Sequence, residues 1–274
     1  RMRLEGLSRR QAEGLPERFR PFTVSPDRFA ATAGCGAPIT VALRQAPVEE
    51  FLATPRGRAE TYRLESRVAG ERLVLWTYEF AGRVEAKRRR ALLALVSPEG
   101  HLFERGLENF LRVLTASYVL ESGGFLLHGS GVVRAGKAYV FFGPSGSGKT
   151  TVTHLSPGDT ILSDDLTLVV RGEGGRYEAA GIPFGMAHHR VPETGASFPI
   201  ASFNRLVQSR SVERESLGPA RALAELAGSL PFVMQETKQA ARALEVVARA
   251  VAEVPVHRLR FRKDDAFWGV VGES

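Results

Sequence analysis

Cysteine is nearly absent: Cys35 is the single copy in 274 residues. One thiol cannot make an intrachain disulfide or a thiolate metal cluster. Long apolar runs are missing too. Nothing approaches the ~20 consecutive apolar residues of a membrane-spanning helix. The charged stretch from Arg1 to Arg10 has no apolar centre of the kind a signal peptide needs. A cytoplasmic protein with no membrane span is therefore expected. The chain also lacks internal repeats, low-complexity tracts, zinc-finger or helix-turn-helix spacing, and any basic stripe interleaved with aromatics. That speaks against nucleic acid as a partner. Against these absences stands an excess of positive charge, 37 Lys and Arg over 30 Asp and Glu, for a net +7. It suits an anionic ligand without choosing one. The length allows one large domain or two smaller ones.

The most informative stretch is Gly143-Pro144-Ser145-Gly146-Ser147-Gly148-Lys149-Thr150, which fits G-x-x-x-x-G-K-[ST]. Ala138 to Phe142 before it reads as a buried strand, and Thr150 to Leu155 after it can start a helix. Glycines let backbone N–H groups curl around phosphate oxygens, and a helix N-terminus adds unpaired donors. Lys149 is expected at the outer phosphates and the Thr150 hydroxyl on Mg²⁺. The candidate nucleotide-binding residues are Gly143, Ser145, Gly146, Ser147, Gly148, Lys149, Thr150 and Thr151, with ATP and Mg²⁺ as cofactors.

Ahead of the loop, the pattern predicts a mainly β, antiparallel part. Its strands are expected at Phe22–Val24, Ile39–Leu43, Thr61–Leu64, Leu73–Phe80 and Ala91–Val96, with turns at Ala69–Glu71, Ala81–Arg83 and Ser97–Gly100. Lys87-Arg88-Arg89-Arg90 reads as a solvated strand end. A helix is expected over 107–121, stopped by Gly123-Gly124 and docking the first part onto the second. Phe125 to Val133 and Ala138 to Phe142 form a hairpin closed at Arg134–Lys137. Its partners' numbers total 271, which puts His128 opposite Gly143. Further on, residues 161–170 read as two short strands or one bent one carrying Asp164-Asp165. Helices are expected at about 201–209, 219–227 and 238–252, and a strand at Val256–Phe261.

Asp164 follows Lys149 by only 15 residues. A full βαβ crossover needs ~30 or more, so the sheet beside the loop is expected to be mixed or antiparallel. Neighbouring residues on an extended segment face opposite ways. One carboxylate can then face a metal while the other takes the proton of an attacking hydroxyl. His188-His189 lack a carboxylate or cysteine at ligand spacing and read as loop residues. Arg190, Arg205 and Arg210 are candidates to steady transferring phosphate charge, Arg190 first because it follows a loop expected beside the nucleotide.

Three segments together resemble HPr kinase/phosphorylase and its small relatives: Leu126 to Val133 with its His128-Gly129, Phe142 to Thr151, and Leu162-Ser163-Asp164-Asp165. Some of those relatives occur with ribosomal-peptide gene clusters, including kinases that phosphorylate a serine of lasso-peptide precursors. The resemblance is strongest over residues 107–170. It implies a nucleotide-binding fold shared with phosphoenolpyruvate carboxykinases. It implies catalytic roles for His128, Asp164 (the base) and Lys149, with Asp165 and Thr150 toward Mg²⁺. No counterpart of the Arg-Gly-rich signature of the bifunctional enzymes follows Val170, where Gly181 to Met186 stands instead. The resemblance therefore implies a kinase rather than an HPr-specific kinase/phosphorylase.

The expectation is an α/β (α+β) chain: a β-rich domain at 1–106, then a phosphate-loop nucleotide-binding domain at 107–274 with a mixed sheet. Its expected activity is Mg-ATP-dependent phosphorylation of a hydroxyl, a serine of a peptide or small protein. The alternatives are an ATP-binding regulator that holds a peptide through its first part, or a kinase of a small molecule such as free serine. A homo-oligomer is compatible with the sequence.

Overall fold

The computed structural model describes residues 2–15, 17–23, 38–53, 63–184, 195–234 and 237–272. Two compact units divide the chain, Arg1–Glu121 and Ser122–Ser274. The long helix predicted to open the second part counts with the first unit.

The first unit is a six-stranded sheet made of β1 (Met2–Glu5), β2 (Ile39–Gln45), β3 (Glu65–Ala69), β4 (Arg72–Trp76), β5 (Phe80–Glu85) and β6 (Arg90–Leu95). Their order is β1-β2-β6-β5-β4-β3. The β3 to β6 meander is antiparallel, but β1–β2 and β2–β6 are parallel. The antiparallel expectation thus holds for the meander and is corrected for β1 and β2. β2 and β6 are distant in sequence, so no hairpin constrains their direction. A capped helix, α1 (Arg9–Glu13), has Ser8 and Gln11 in a reciprocal capping box.

The predicted strand at Phe22 is instead the end of a 3-10 turn spanning Glu17–Phe22, and Val24, Cys35, Thr61 and Tyr62 lie outside the described residues. Arg63 and Leu64 precede β3 rather than forming a strand. The run Leu73–Phe80 breaks at Thr77, whose hydroxyl accepts the N–H groups of Glu79 and Phe80 at 2.9 Å each and turns the chain into β5.

Helix α2 (Gly100–Glu121) packs on β5 and β6. Gly82 sits inside β5 rather than in the expected turn, because a Cβ there would come within 2.3 Å of the Phe110 ring of α2. Phe110 is fully buried and meets Phe80 edge-on at 5.6 Å. The glycine serves helix–sheet approach, not chain reversal.

The second unit contains β7 (Phe125–Arg134), β8 (Lys137–Phe142), α3 (Lys149–His154), β9 (Thr160–Ser163), β10 (Leu166–Arg171), β11 (Tyr177–Ala180), β12 (Ser197–Gln208) and β13 (Glu213–Ser216). After these come α4 (Pro219–Ala227), α5 (Thr237–Glu253), β14 (Val256–Phe261) and α6 (Phe267–Val271). The sheet runs β11-β10-β7-β8-β12-β14-β13, with β9 on β7, and β11 also pairs with β12. That last pairing closes five strands into a small barrel. Pairs β8–β12 and β12–β14 are parallel and the rest antiparallel. This is a β-rich α/β chain with mixed sheets.

The β7–β8 register follows the predicted count, with Val133 opposite Ala138 and Gly129 opposite Phe142. Ala135 and Gly136, both at positive φ (50° and 76°), make the two-residue turn that suits strand twist. The predicted helix at 201–209 is β12 instead. It lies between two strands, and Ser202 and Asn204 are fully buried. Their polarity hides the strand from a hydrophobicity pattern, while Asn204 donates to Ser202 at 3.0 Å.

Beneath α3 lies an aromatic core of Tyr139, Phe141, Phe261, Phe267 and Trp268. Phe141 meets Phe267 and Trp268 edge-on at 5.8 and 5.7 Å, and the Trp268 indole donates to Ser156 Oγ at 3.1 Å. Among the described residues no helix is long and apolar enough to cross a membrane.

Two predictions follow from this packing. Gly82→Ala forces Phe110 from its place and should cost about 1–3 kcal/mol; adding Phe110→Leu should return part of it, read by denaturant unfolding. His257 of β14 is held down to about 4, first by burial and then by the neighbouring Arg214 charge. The unfolded chain takes up that proton near pH 6.5 and the folded chain does not. Stability should therefore fall as pH drops from about 6.5 toward 4, and His257→Gln should flatten that part of the profile.

Candidate functional site

The loop leaves β8 at Gly143 and re-enters regular structure at Lys149. Gly146 (φ 78°) and Gly148 (φ 109°) hold backbone conformations that L side chains rarely adopt. Ser147 N–H turns back to Pro144 O at 3.1 Å. Among the described residues, the amides of Gly146, Gly148, Lys149 and Thr150 have no backbone acceptor, as the first turn of a helix requires. α3 has only six residues, so these N–H groups, rather than a long helix dipole, are what the loop offers an anion.

Lys149 bends over its own loop. Its ammonium donates to Gly143 O at 2.9 Å and Pro144 O at 3.1 Å, and the residue is 8% exposed. Burial lowers its pKa from the ordinary lysine value; Asp165 opposes that shift and Arg205 adds to it. A Cβ on Gly148 would lie 2.5 Å from Phe261 Cζ, so the aromatic core forms the floor of the loop. At the tip, Gln208 Nε2 donates to Gly146 O at 2.6 Å. Ser147 Oγ is buried with no hydrogen-bond partner among the described residues.

The carboxylate pair occupies the turn between β9 and β10. Ser163 Oγ accepts the N–H groups of Asp165 (3.2 Å) and Leu166 (3.0 Å), which fixes that turn. Asp164 is buried, at 7% exposure, whereas Asp165 is half-exposed and its Oδ1 lies 3.1 Å from His128 Nδ1. The two neighbours thus occupy different environments, as the alternation of side chains suggested. Main-chain bonds hold His128 from both sides: its N–H donates to Ser229 O and the next N–H, of Gly129, donates to Asp165 O, each at 2.9 Å. Hairpin pairing and the β7–β10 ladder, where His128 faces Leu166, carry His128 and Asp165 to the start of the loop.

A cleft of about 450 Å³ opens beside that start, lined by His128, Gly143, Pro144, Arg205, Glu225 and Leu230 among others. Lys149, Asp165, His128 and Gly143 therefore share one neighbourhood. Thr150 is exposed, Thr151 half-exposed and Ser145 exposed at the loop surface.

Sequence reasoning missed Gln208 and Glu225. Gln208 was concealed in the expected helix at 201–209, and Glu225 sits on α4, whose fold neighbours are not sequence neighbours. His188, His189 and Arg190 lie outside the described residues. No cluster of three or more His, Cys, Asp or Glu suited to a metal occurs among the described residues. A magnesium ion carried by phosphates needs only one or two protein oxygens, and Thr150 and the aspartates are of the right type.

A family model matches residues 109–273, which include the loop, His128, both aspartates and the aromatic floor. The chain belongs to the SynChlorMet cassette protein ScmC family. No curated protein matches it. The ScmC family name specifies a cassette and not a reaction, so the chemistry must be argued from the site itself. Most of the first unit lies ahead of the ScmC match.

The loop glycines separate two kinds of strain. Gly146→Ala meets no atom within 4 Å and suffers only its φ, a cost of about 1–2 kcal/mol. Gly148→Ala meets Phe261 as well, adding about 1–3 kcal/mol of overpacking. Thermal unfolding should therefore rank Gly148→Ala clearly below Gly146→Ala; equal losses would mean that Phe261 is not the floor.

Proposed function

We propose that this ScmC-family chain is a Mg-ATP-dependent kinase of the HPr-kinase/carboxykinase type, transferring the γ-phosphoryl group to a hydroxyl, a serine of a peptide or small protein. The observation that carries this reading is the meeting of Lys149, His128 and Asp165 at the start of a phosphate-binding loop. A loop built to hold phosphates needs Lys149 and the amides. An adjacent carboxylate pair, one member tied to a histidine, is what a proton-accepting centre adds.

In this mechanism the amides around Gly146 and Gly148, with Lys149, hold the phosphates. Mg²⁺ would be held by Thr150 and Asp165, and when bound it neutralises charge between the outer phosphates. Asp164 accepts the proton of the acceptor hydroxyl as its oxygen attacks the γ-phosphorus and ADP leaves. His128 orients Asp165 through the 3.1 Å contact. The second unit, Ser122–Ser274, is then the nucleotide-binding domain, and a cytoplasmic setting provides ATP. The acceptor hydroxyl can approach along the cleft beside Gly143 and His128.

Phosphorus NMR of Mg-ATP with the protein, free serine and serine-containing peptides tests the reading. A new phosphomonoester signal is expected from one acceptor class. Asp164→Asn should slow its appearance by about 10²–10⁴-fold, and Lys149→Ala should remove it. ATP that binds and stays intact with every acceptor would turn the reading toward a nucleotide-dependent regulator.

A further inference from the structure

We propose that Arg205 makes a second anion subsite at the start of the phosphate loop. It takes the terminal phosphate of a nucleoside triphosphate and lets the chain distinguish triphosphate from diphosphate. The inference rests on the nucleotide reading above and assigns a ligand to a side chain which that reading leaves unused.

The position of the terminal phosphate follows from Lys149. Its ammonium, which contacts the outer phosphates in such loops, is strapped across the carbonyls of Gly143 and Pro144. The outer end of the phosphate chain therefore lies at the loop's beginning. β12 runs parallel to β8 and sets Arg205 opposite Phe142, the residue just before the loop. Arg205 Nη1 is 3.4 Å from where Gly143 would carry a Cβ. The same residue lines the cleft that His128, Gly143 and Pro144 share.

Arg205 is also preset. Its Nε donates to Glu225 Oε2 at 2.9 Å and its Nη1 to Leu206 O at 2.5 Å. Among the described residues these bonds use two of the five N–H donors of a guanidinium, and the side chain is half-buried at the cleft wall. Arg205 Nη1 and the Lys149 ammonium both lie against Gly143, so two cations border the start of the loop. A terminal phosphate there can be held by both, and a planar guanidinium suits phosphate oxygens. Arg210 lies exposed beyond the end of β12.

Calorimetric titration with Mg-ADP and with the magnesium complex of a non-hydrolysable ATP analogue tests the subsite. Wild type should bind the triphosphate analogue more tightly. Arg205→Gln should weaken the analogue by tenfold or more and ADP by less than twofold. Arg205→Lys should fall between, and Glu225→Gln should preserve most of the discrimination. Should the melting curve show Arg205→Gln to be poorly folded, Arg205→Gln/Glu225→Gln removes both charges of the pair together and carries the comparison. Parallel weakening of both ligands, or none, would overturn the subsite while leaving the nucleotide reading intact. A wild type that binds neither ligand overturns both.

Discussion

On the reading proposed above, the loop from Gly143 to Thr150 must stay open before an anion arrives, and supports from across the second unit meet that constraint. Among the described residues the amides of Gly146, Gly148, Lys149 and Thr150 have no backbone acceptor, so the loop needs supports that leave them free. Lys149 supplies one by donating to the carbonyls of Gly143 and Pro144. Phe261 supplies a floor beneath Gly148, and Gln208 holds the carbonyl of Gly146. All three bind carbonyls or fill space, and none takes an N–H that a phosphate would need.

The supports come from distant parts of the chain. Phe261 belongs to β14, the last strand along the chain, and is itself packed edge-on against Phe267 at 5.9 Å. Gln208 and Arg205 lie on one strand, β12, which the sheet places beside β8. The parallel β8–β12 pair therefore matters more to the site than the helix that follows the loop. A short α3 and an early return through β9 leave room for β10 to deliver the aspartates beside β7. The mixed sheet is the consequence of that economy of chain length.

Much of this was legible in advance for physical reasons that are local. The loop, the β7–β8 hairpin and its register follow from glycine positions, alternating apolar residues and a turn that tolerates positive φ. The two short strands around Asp164-Asp165 and the strand Val256–Phe261 were likewise readable from pattern. β12 was not, because the buried polar residues Ser202 and Asn204 interrupt the hydrophobic pattern that would mark a strand. Gly82 was misread as a turn because nothing in its neighbourhood announces the Phe110 ring. The parallel β2–β6 pairing was hidden for a similar reason: strand direction across a long connection is decided by what the sheet buries.

The amino-acid sequence by itself determined the phosphate-loop motif, the hairpin that carries His128 and the short interval to the carboxylates, since each depends on residues close along the chain. Only the tertiary structure decided that Asp165 rather than Asp164 meets His128, that Gln208 and Phe261 support the loop, and that Arg205 stands at its start. Those contacts join strands and turns far apart in sequence. Their geometry depends on sheet order and burial, which no local pattern encodes.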